Sequence, residues 1–197
     1  HPELSDPRSL INAALSKSTA SATTISSGHS TASNAVDQAE EQARQEKATG
    51  LAELYAAPLS VLIGPAGTGK TTLLNALVNQ LHGQRVVLLA PTGKARVQLE
   101  IKVRPTGGNL VSFHTLASFL ARTERFDGER YLVGDVHAMR DEADLVVIDE
   151  ASMLTEEMLA ATLDAFRRIG RLVFVGDPRQ LPPIGAGRPF VDLVNLL

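Results

Sequence analysis

The run Gly64-Pro65-Ala66-Gly67-Thr68-Gly69-Lys70-Thr71 has the spacing of a phosphate-binding loop, G-x-x-x-x-G-K-[ST]. Glycines at 64, 67 and 69 let the backbone curl until its N–H groups converge on an anion, and a following helix N-terminus adds partial positive charge. Lys70 would then reach the β- and γ-phosphates of a nucleoside triphosphate, and the Thr71 hydroxyl would hold Mg²⁺. A second place for chemistry is Asp149-Glu150, which closes the apolar run Leu145-Val146-Val147-Ile148. A carboxylate ending such a run is costly unless it meets a cation or hydrogen-bond donors. Beside a phosphate loop the partner for Asp149 is Mg²⁺, and Glu150 can polarise an attacking water. The third place is Gly176-Asp177-Pro178-Arg179-Gln180-Leu181-Pro182-Pro183. Taken alone it is a polar loop, but an uncharged amide such as Gln180 can tell a triphosphate from a diphosphate.

These residues need elements to hold them. Val61-Leu62-Ile63 reads as a short strand entering the glycine loop, and Thr72 to Leu81 as the helix leaving it, with leucines at helical spacing. Arg85–Ala90 reads as a buried strand that turns through Pro91-Thr92-Gly93-Lys94 into a helix ending near Ile101. Leu110-Val111-Ser112 is a short strand, Phe113–Ala121 a helix, and Arg125–Tyr131 a hairpin about Asp127-Gly128. Asp144–Asp149 is a strand, Thr155 caps a helix running to Ile169 and stopped by Gly170, and Leu172–Gly176 is the last strand. Strands apolar throughout and alternating with helices predict an α/β fold, a parallel sheet covered on both faces. Ligands then sit at the carboxyl ends of the strands, where each notable motif falls.

The chain has 197 residues, 44% of them hydrophobic, which suits one domain plus a tail. Of the 20 residues from Ser16 to Ala35, 15 are Ser, Thr or Ala. So little apolar surface does not offset the ordering entropy, and 1–35 is expected to be a flexible N-terminal segment, with the folded domain spanning 36–197. The start at His1, without methionine or a signal pattern, reads as the end of a fragment. The formal charge of −3 advertises no global basic field, although 84–104 carries five basic residues against Glu100 alone. The absence of cysteine excludes disulfides and cysteine-ligated zinc and fits a reducing, cytoplasmic setting. No stretch approaches the ~20 apolar residues of a membrane span.

Together, GPAGTGKTTLL, LLAPTGKA, FHTL, VVIDEASM and VGDPRQLPPIGAG resemble motifs I, Ia, Ib, II and III of superfamily 1B DNA helicases, the RecD-like group, over about residues 42–190. The resemblance implies a RecA-like P-loop ATPase domain with ATP and Mg²⁺ as cofactors and single-stranded DNA as partner. Gly64–Thr72 would bind nucleotide, with Lys70 and Thr71 on phosphate and Mg²⁺. Asp149 and Glu150 would be the metal-binding and catalytic acids, and Gln180 the γ-phosphate sensor. Thr92, Gly93 and Lys94 would meet the strand's backbone, with His114 and Thr115 beside it. Gln45 falls about where the family keeps an adenine-reading glutamine, with Gln42 close enough to compete. The hairpin near 123–134 resembles the small insertion used at the strand fork, although Phe126 and Tyr131 also suit plain packing.

The chain stops soon after the GDPRQLPP block, so the motor's second RecA-like domain is expected to be absent and unwinding by this half weak. Two competing classes remain. No Asn-Lys-x-Asp guanine-reading sequence occurs, and Asp149-Glu150 suits water activation better than transfer to a substrate, which disfavours a GTPase or kinase. A non-catalytic, nucleotide-dependent interaction module would have no need of Glu150.

Overall fold

The computed structural model describes residues 30–65, 67–106, 108–134 and 138–197. Five strands form one parallel sheet: β1 (Leu59–Ile63), β2 (Arg85–Ala90), β3 (Leu110–Thr115), β4 (Asp141–Ile148) and β5 (Phe166–Gly176). Their spatial order is β1-β5-β4-β2-β3. Among the described residues six α-helices accompany them: α1 (Ser30–Ala56), α2 (Lys70–Gln80), α3 (Gly93–Lys102), α4 (Leu116–Arg122), α5 (Glu156–Asp164) and α6 (Pro189–Leu196).

Successive strand residues point to opposite faces, and the apolar runs feed two separate cores. Val86, Leu88, Leu145 and Val147 pack with α1, α2 and α3, whereas Val87, Leu89, Val146 and Ile148 pack with α4, α5 and Phe190 of α6. Each fully buried leucine here contributes about 1.5–3 kcal/mol. This is the α/β parallel sheet with helices on both faces that the sequence predicts. All the strands run the same way, so the loops after β1, β2, β4 and β5 meet on one rim.

Three boundaries differ from the sequence reading. The helix α1 reaches back to Ser30, into the segment expected to be flexible. Alanine is the best helix former and Ser or Thr suit a helix start, so that composition also permits a helix. Residues 1–29 lie outside the described residues. Phe113 and His114 belong to β3, not to a helix: they pair in register with Leu88 and Leu89 of β2. The helix α4 starts one residue after Thr115, whose hydroxyl accepts from the Ser118 N–H at 3.1 Å.

Finally, α5 ends at Asp164 rather than running to Ile169, and Phe166–Arg171 join β5 against β4. Phe166 stacks on Phe119 with ring centroids 5.0 Å apart. Outside, Arg167 and Arg168 pair with Glu142 and Asp144 across the strands. Gly170 is therefore no helix stop. A β-carbon there would lie 2.6 Å from the Asp144 carbonyl oxygen, so glycine permits the close strand approach.

The segment 123–134 makes one antiparallel bridge, Phe126 to Tyr131, whose rings stack at 5.0 Å and pack on the second core. Asp127 accepts from the N–H groups of Glu129 and Arg130, both at 2.8 Å, and these bonds hold its carboxyl below the usual range.

Candidate active site

The loop after β1 is tied down on both sides. Gly64 N–H donates to the Gly176 carbonyl at 3.3 Å, joining the loop to the end of β5. The Thr68 hydroxyl donates to the Pro65 carbonyl at 2.9 Å, and a β-carbon on Gly64 would collide with that hydroxyl oxygen at 2.8 Å. Gly67 and Gly69 have φ of 85° and 86°, the left-handed region that only glycine adopts freely. The Lys70 ammonium donates to the carbonyls of Gly64 and Pro65, the latter at 2.8 Å. Ala66 lies outside the described residues. Gly69 is the N-terminal flanking residue of α2, and its carbonyl accepts from Leu73 N–H at 3.1 Å.

Asp149 follows β4, and its N–H donates to the Leu89 carbonyl at 2.8 Å, which fixes it beside the end of β2. Burial raises its carboxyl above the ordinary range. The Glu150 N–H opposes that shift, the Glu150 charge adds to it, and the Lys70 and Lys102 ammonium groups oppose it. Glu150 has φ 51°, a left-handed conformation costing about 1–3 kcal/mol for a non-glycine residue. The following 3₁₀ turn holds it there, with Met153 N–H donating to its carbonyl at 3.0 Å. Local strain of this kind persists where the surroundings over-determine it.

Gln180 reaches the same place from β5. Its N–H donates to the Asp177 carbonyl at 3.0 Å, and the Ser152 hydroxyl donates to its side-chain carbonyl at 3.3 Å. Gly176 makes this approach feasible, because a β-carbon there would sit 2.8 Å from the Phe190 ring and 3.2 Å from Ser152 N.

A cavity of about 640 Å³ gathers these groups. Its walls include Gly67, Gly69, Lys70, Thr71 and Thr72 from the loop and α2, Asp149 and Glu150 just after β4, and Gln180 from the loop after β5. Thr92 and Lys94 line the same cavity at the head of α3, where the Thr92 hydroxyl accepts from Ala95 N–H at 3.2 Å. Gly93, between them, is the first residue of α3.

His114 and Thr115 do not line it. His114 sits on β3 against Phe119, and burial with the nearby Arg122 lowers its imidazole below the usual value. Gln45 is exposed on α1 and does not line it either, while Gln42 donates to Glu46 at 3.4 Å. Sequence reasoning missed Gln98, Lys102 and Ser152. Gln98 and Lys102 lie four and eight residues after Lys94, the helical spacing that puts all three on the cavity wall.

The donor set bears on a metal. Among the described residues no cluster of three or more His, Cys, Asp or Glu could hold an ion by itself. A single carboxylate disfavoured by burial, with a threonine hydroxyl on the same wall, fits Mg²⁺, which keeps waters and uses substrate phosphates for much of its shell.

The chain belongs to the AAA domain family, whose pattern matches residues 39–196. It is 39% identical over 160 residues to the RecBCD enzyme subunit RecD of Mycolicibacterium smegmatis, covering 70% of this chain and 28% of that protein. It is 33% identical over 153 residues to the ATP-dependent RecD2 DNA helicase of Deinococcus radiodurans, covering 77% of this chain and 20% of the relative. An uncharacterized protein of Methanocaldococcus jannaschii is 34% identical over 151 residues, 71% of this chain and 12% of its own length. These likenesses bear out the RecD-like resemblance: this is an AAA-type ATPase domain similar to RecD helicases. The chain thus spans between 12% and 28% of these relatives' lengths. Among the described residues, no helix is long and apolar enough to cross a membrane.

Proposed function

We propose that this domain is the ATP-binding and ATP-hydrolysing half of a DNA helicase motor, which couples hydrolysis to movement along single-stranded DNA. The observation that carries the reading is the shared cavity: phosphate loop, acidic pair, Gln180 and the head of α3 all open onto one space. A triphosphate offers Lys70 stronger acceptors than the loop carbonyls it now meets. Thr71 and Asp149 would hold Mg²⁺, which neutralises developing charge on the phosphates. Glu150 takes a proton from water as the water oxygen bonds the γ-phosphorus and the bond to the β–γ bridging oxygen breaks, giving ADP and inorganic phosphate. Ser152 aims the Gln180 amide so that loss of the γ-phosphate is felt at the Pro182-Pro183 segment.

The strand would run past the head of α3, where Thr92, Gly93 and Lys94 combine a helix N-terminus with a cation. The position of Thr92 and Lys94 on the nucleotide cavity supports coupling, because one short element would touch both ligands. His114 and Thr115, on the neighbouring strand, would extend that track. In a whole motor a second RecA-like domain would close on the cavity and supply an arginine, worth about 10³–10⁵ in rate.

Steady-state ATP hydrolysis, measured with and without single-stranded DNA in a form carrying that second domain, tests the reading. The rate should rise with DNA, and Lys94→Ala should weaken the response for all sequences alike, since a phosphate contact positions without reading bases. A rate indifferent to DNA would leave an ATPase that is no helicase motor.

A further inference from the structure

The face of α3 that opens on the nucleotide cavity carries Lys94, Gln98 and Lys102 at helical spacing. Lys94 lies at the head of the helix, whereas Lys102 is its last residue. That end of α3 is clamped to α2. Arg104 N–H donates to the Asn75 side-chain carbonyl at 2.9 Å, and the Asn79 amide donates to the Arg104 carbonyl at 3.2 Å. Val103, next to Lys102, is fully buried. Asn75 stands about one turn beyond Thr71 on α2, so the clamp holds Lys102 close to the first turn of that helix, on the same cavity as Asp149 and Glu150. Lys102 makes no ion pair among the described residues, although Arg96 and Glu100 of the same helix pair with each other. Its charge reaches the acidic end of the cavity, where with Lys70 it opposes protonation of Asp149. The helix macrodipole alone suits a lysine in a last turn, but that role requires no place on the cavity wall and no approach to Asp149.

We propose that Lys102 is a γ-phosphate-binding residue, its ammonium meeting the terminal phosphate of a nucleoside triphosphate from the α3 wall while Lys70 holds the phosphates from the loop. On the nucleotide-binding reading above, on which this role rests, the γ-phosphate lies at the end of the cavity where Asp149 holds the metal and Glu150 activates water. Lys102 shares that end, and a diphosphate leaves it without a partner there. Lys102 thus adds affinity for ATP over ADP and offsets charge on the γ-phosphate from within this chain.

The test is equilibrium binding, with Mg²⁺, of a non-hydrolysable fluorescent ATP analogue and a fluorescent ADP analogue to the 197-residue chain, as wild type, Lys102→Gln and Lys102→Arg. Loss of one charge-assisted contact should raise the dissociation constant of the ATP analogue about tenfold in Lys102→Gln and leave that of the ADP analogue within about twofold. Lys102→Arg should recover most of the affinity, and the melting temperature without nucleotide should stay at the wild-type value. An effect passed through Asp149 and its metal would weaken both nucleotides, since Mg²⁺ accompanies ADP as well. Equal losses for the two analogues would therefore overturn the γ-phosphate contact. So would unchanged ATP affinity of Lys102→Gln where wild type binds, or a loss matched by a fall in melting temperature. Failure of wild type to bind either analogue would overturn the nucleotide site itself, and Lys102 with it.

Discussion

Glu150→Gln should leave ATP affinity within about twofold of wild type while lowering turnover about 10²–10⁴-fold, the usual worth of a positioned general base. The amide keeps the shape of the side chain and its place before the 3₁₀ turn of Ala151–Met153, so the left-handed backbone at φ 51° survives. What it loses is the capacity to accept a proton from the attacking water. On the proposed reading, binding would rest on other groups: the loop N–H groups, Lys70 and Thr71. The comparison belongs in the two-domain form, where the wild-type rate stands well above background, and single-turnover hydrolysis separates chemistry from product release. Equal turnover in the two proteins would remove Glu150 from the mechanism and favour a nucleotide switch.

Arg125→Ala should cost about 3–5 kcal/mol, because it leaves buried carbonyls without a donor at about 1–3 kcal/mol each and weakens a buried ion pair. Arg125 is 0% exposed. Its guanidinium donates to the Asp164 carboxylate at 2.8 Å and to the carbonyls of Thr123, Met139 and Asp164 at 2.7–3.0 Å. Asp164 also pairs with Arg140 at 3.1 Å and accepts from Gly134 N–H at 3.3 Å. One arginine thus fastens both ends of the hairpin segment to the end of α5. Its loss takes one of the two arginine partners of Asp164, leaves three carbonyls without that donor and opens a void. Whole domains are stable by only about 5–15 kcal/mol, so the variant should approach unfolding at physiological temperature. Urea unfolding gives the number, and a loss below about 1 kcal/mol would show that the network relaxes onto water. Asp164→Leu joined to Arg125→Met should recover part of the loss, because it removes both charges together.

The fold class was legible because the strand runs at 85–90, 144–148 and 172–176 are apolar on both faces, as only a covered parallel sheet requires. The phosphate loop, the acidic pair and Gln180 were legible as residues, each standing just after such a run. Their meeting in one cavity follows from the strand order, which no local pattern contains.

Boundaries were less legible. Phe113-His114-Thr115 can continue a strand or open a helix, and the register with β2 decides it. Phe166–Arg171 has enough Arg and Ile for a helix, yet cross-strand pairing with Glu142 and Asp144 makes it a strand. Gln98 and Lys102 were legible only as helical neighbours of Lys94, and Ser152 left no signal because its contact with Gln180 comes from packing between distant elements. The same packing separates His114 and Thr115 from the cavity that Thr92 and Lys94 line.

The central claim is that the loop from Gly64 to Thr71 binds a nucleoside triphosphate. Isothermal titration of ATP with Mg²⁺ into the 197-residue chain tests it directly, with Lys70→Ala in parallel and circular dichroism reporting the fold. On this reading Lys70 would bring the ammonium that faces the β- and γ-phosphates, and its loss would remove charge-assisted contacts worth about 1.5–3 kcal/mol each. The expected result is saturable binding by wild type and a loss of at least about tenfold in the folded Lys70→Ala protein. Binding of ATP by folded Lys70→Ala as tightly as by wild type would contradict the account.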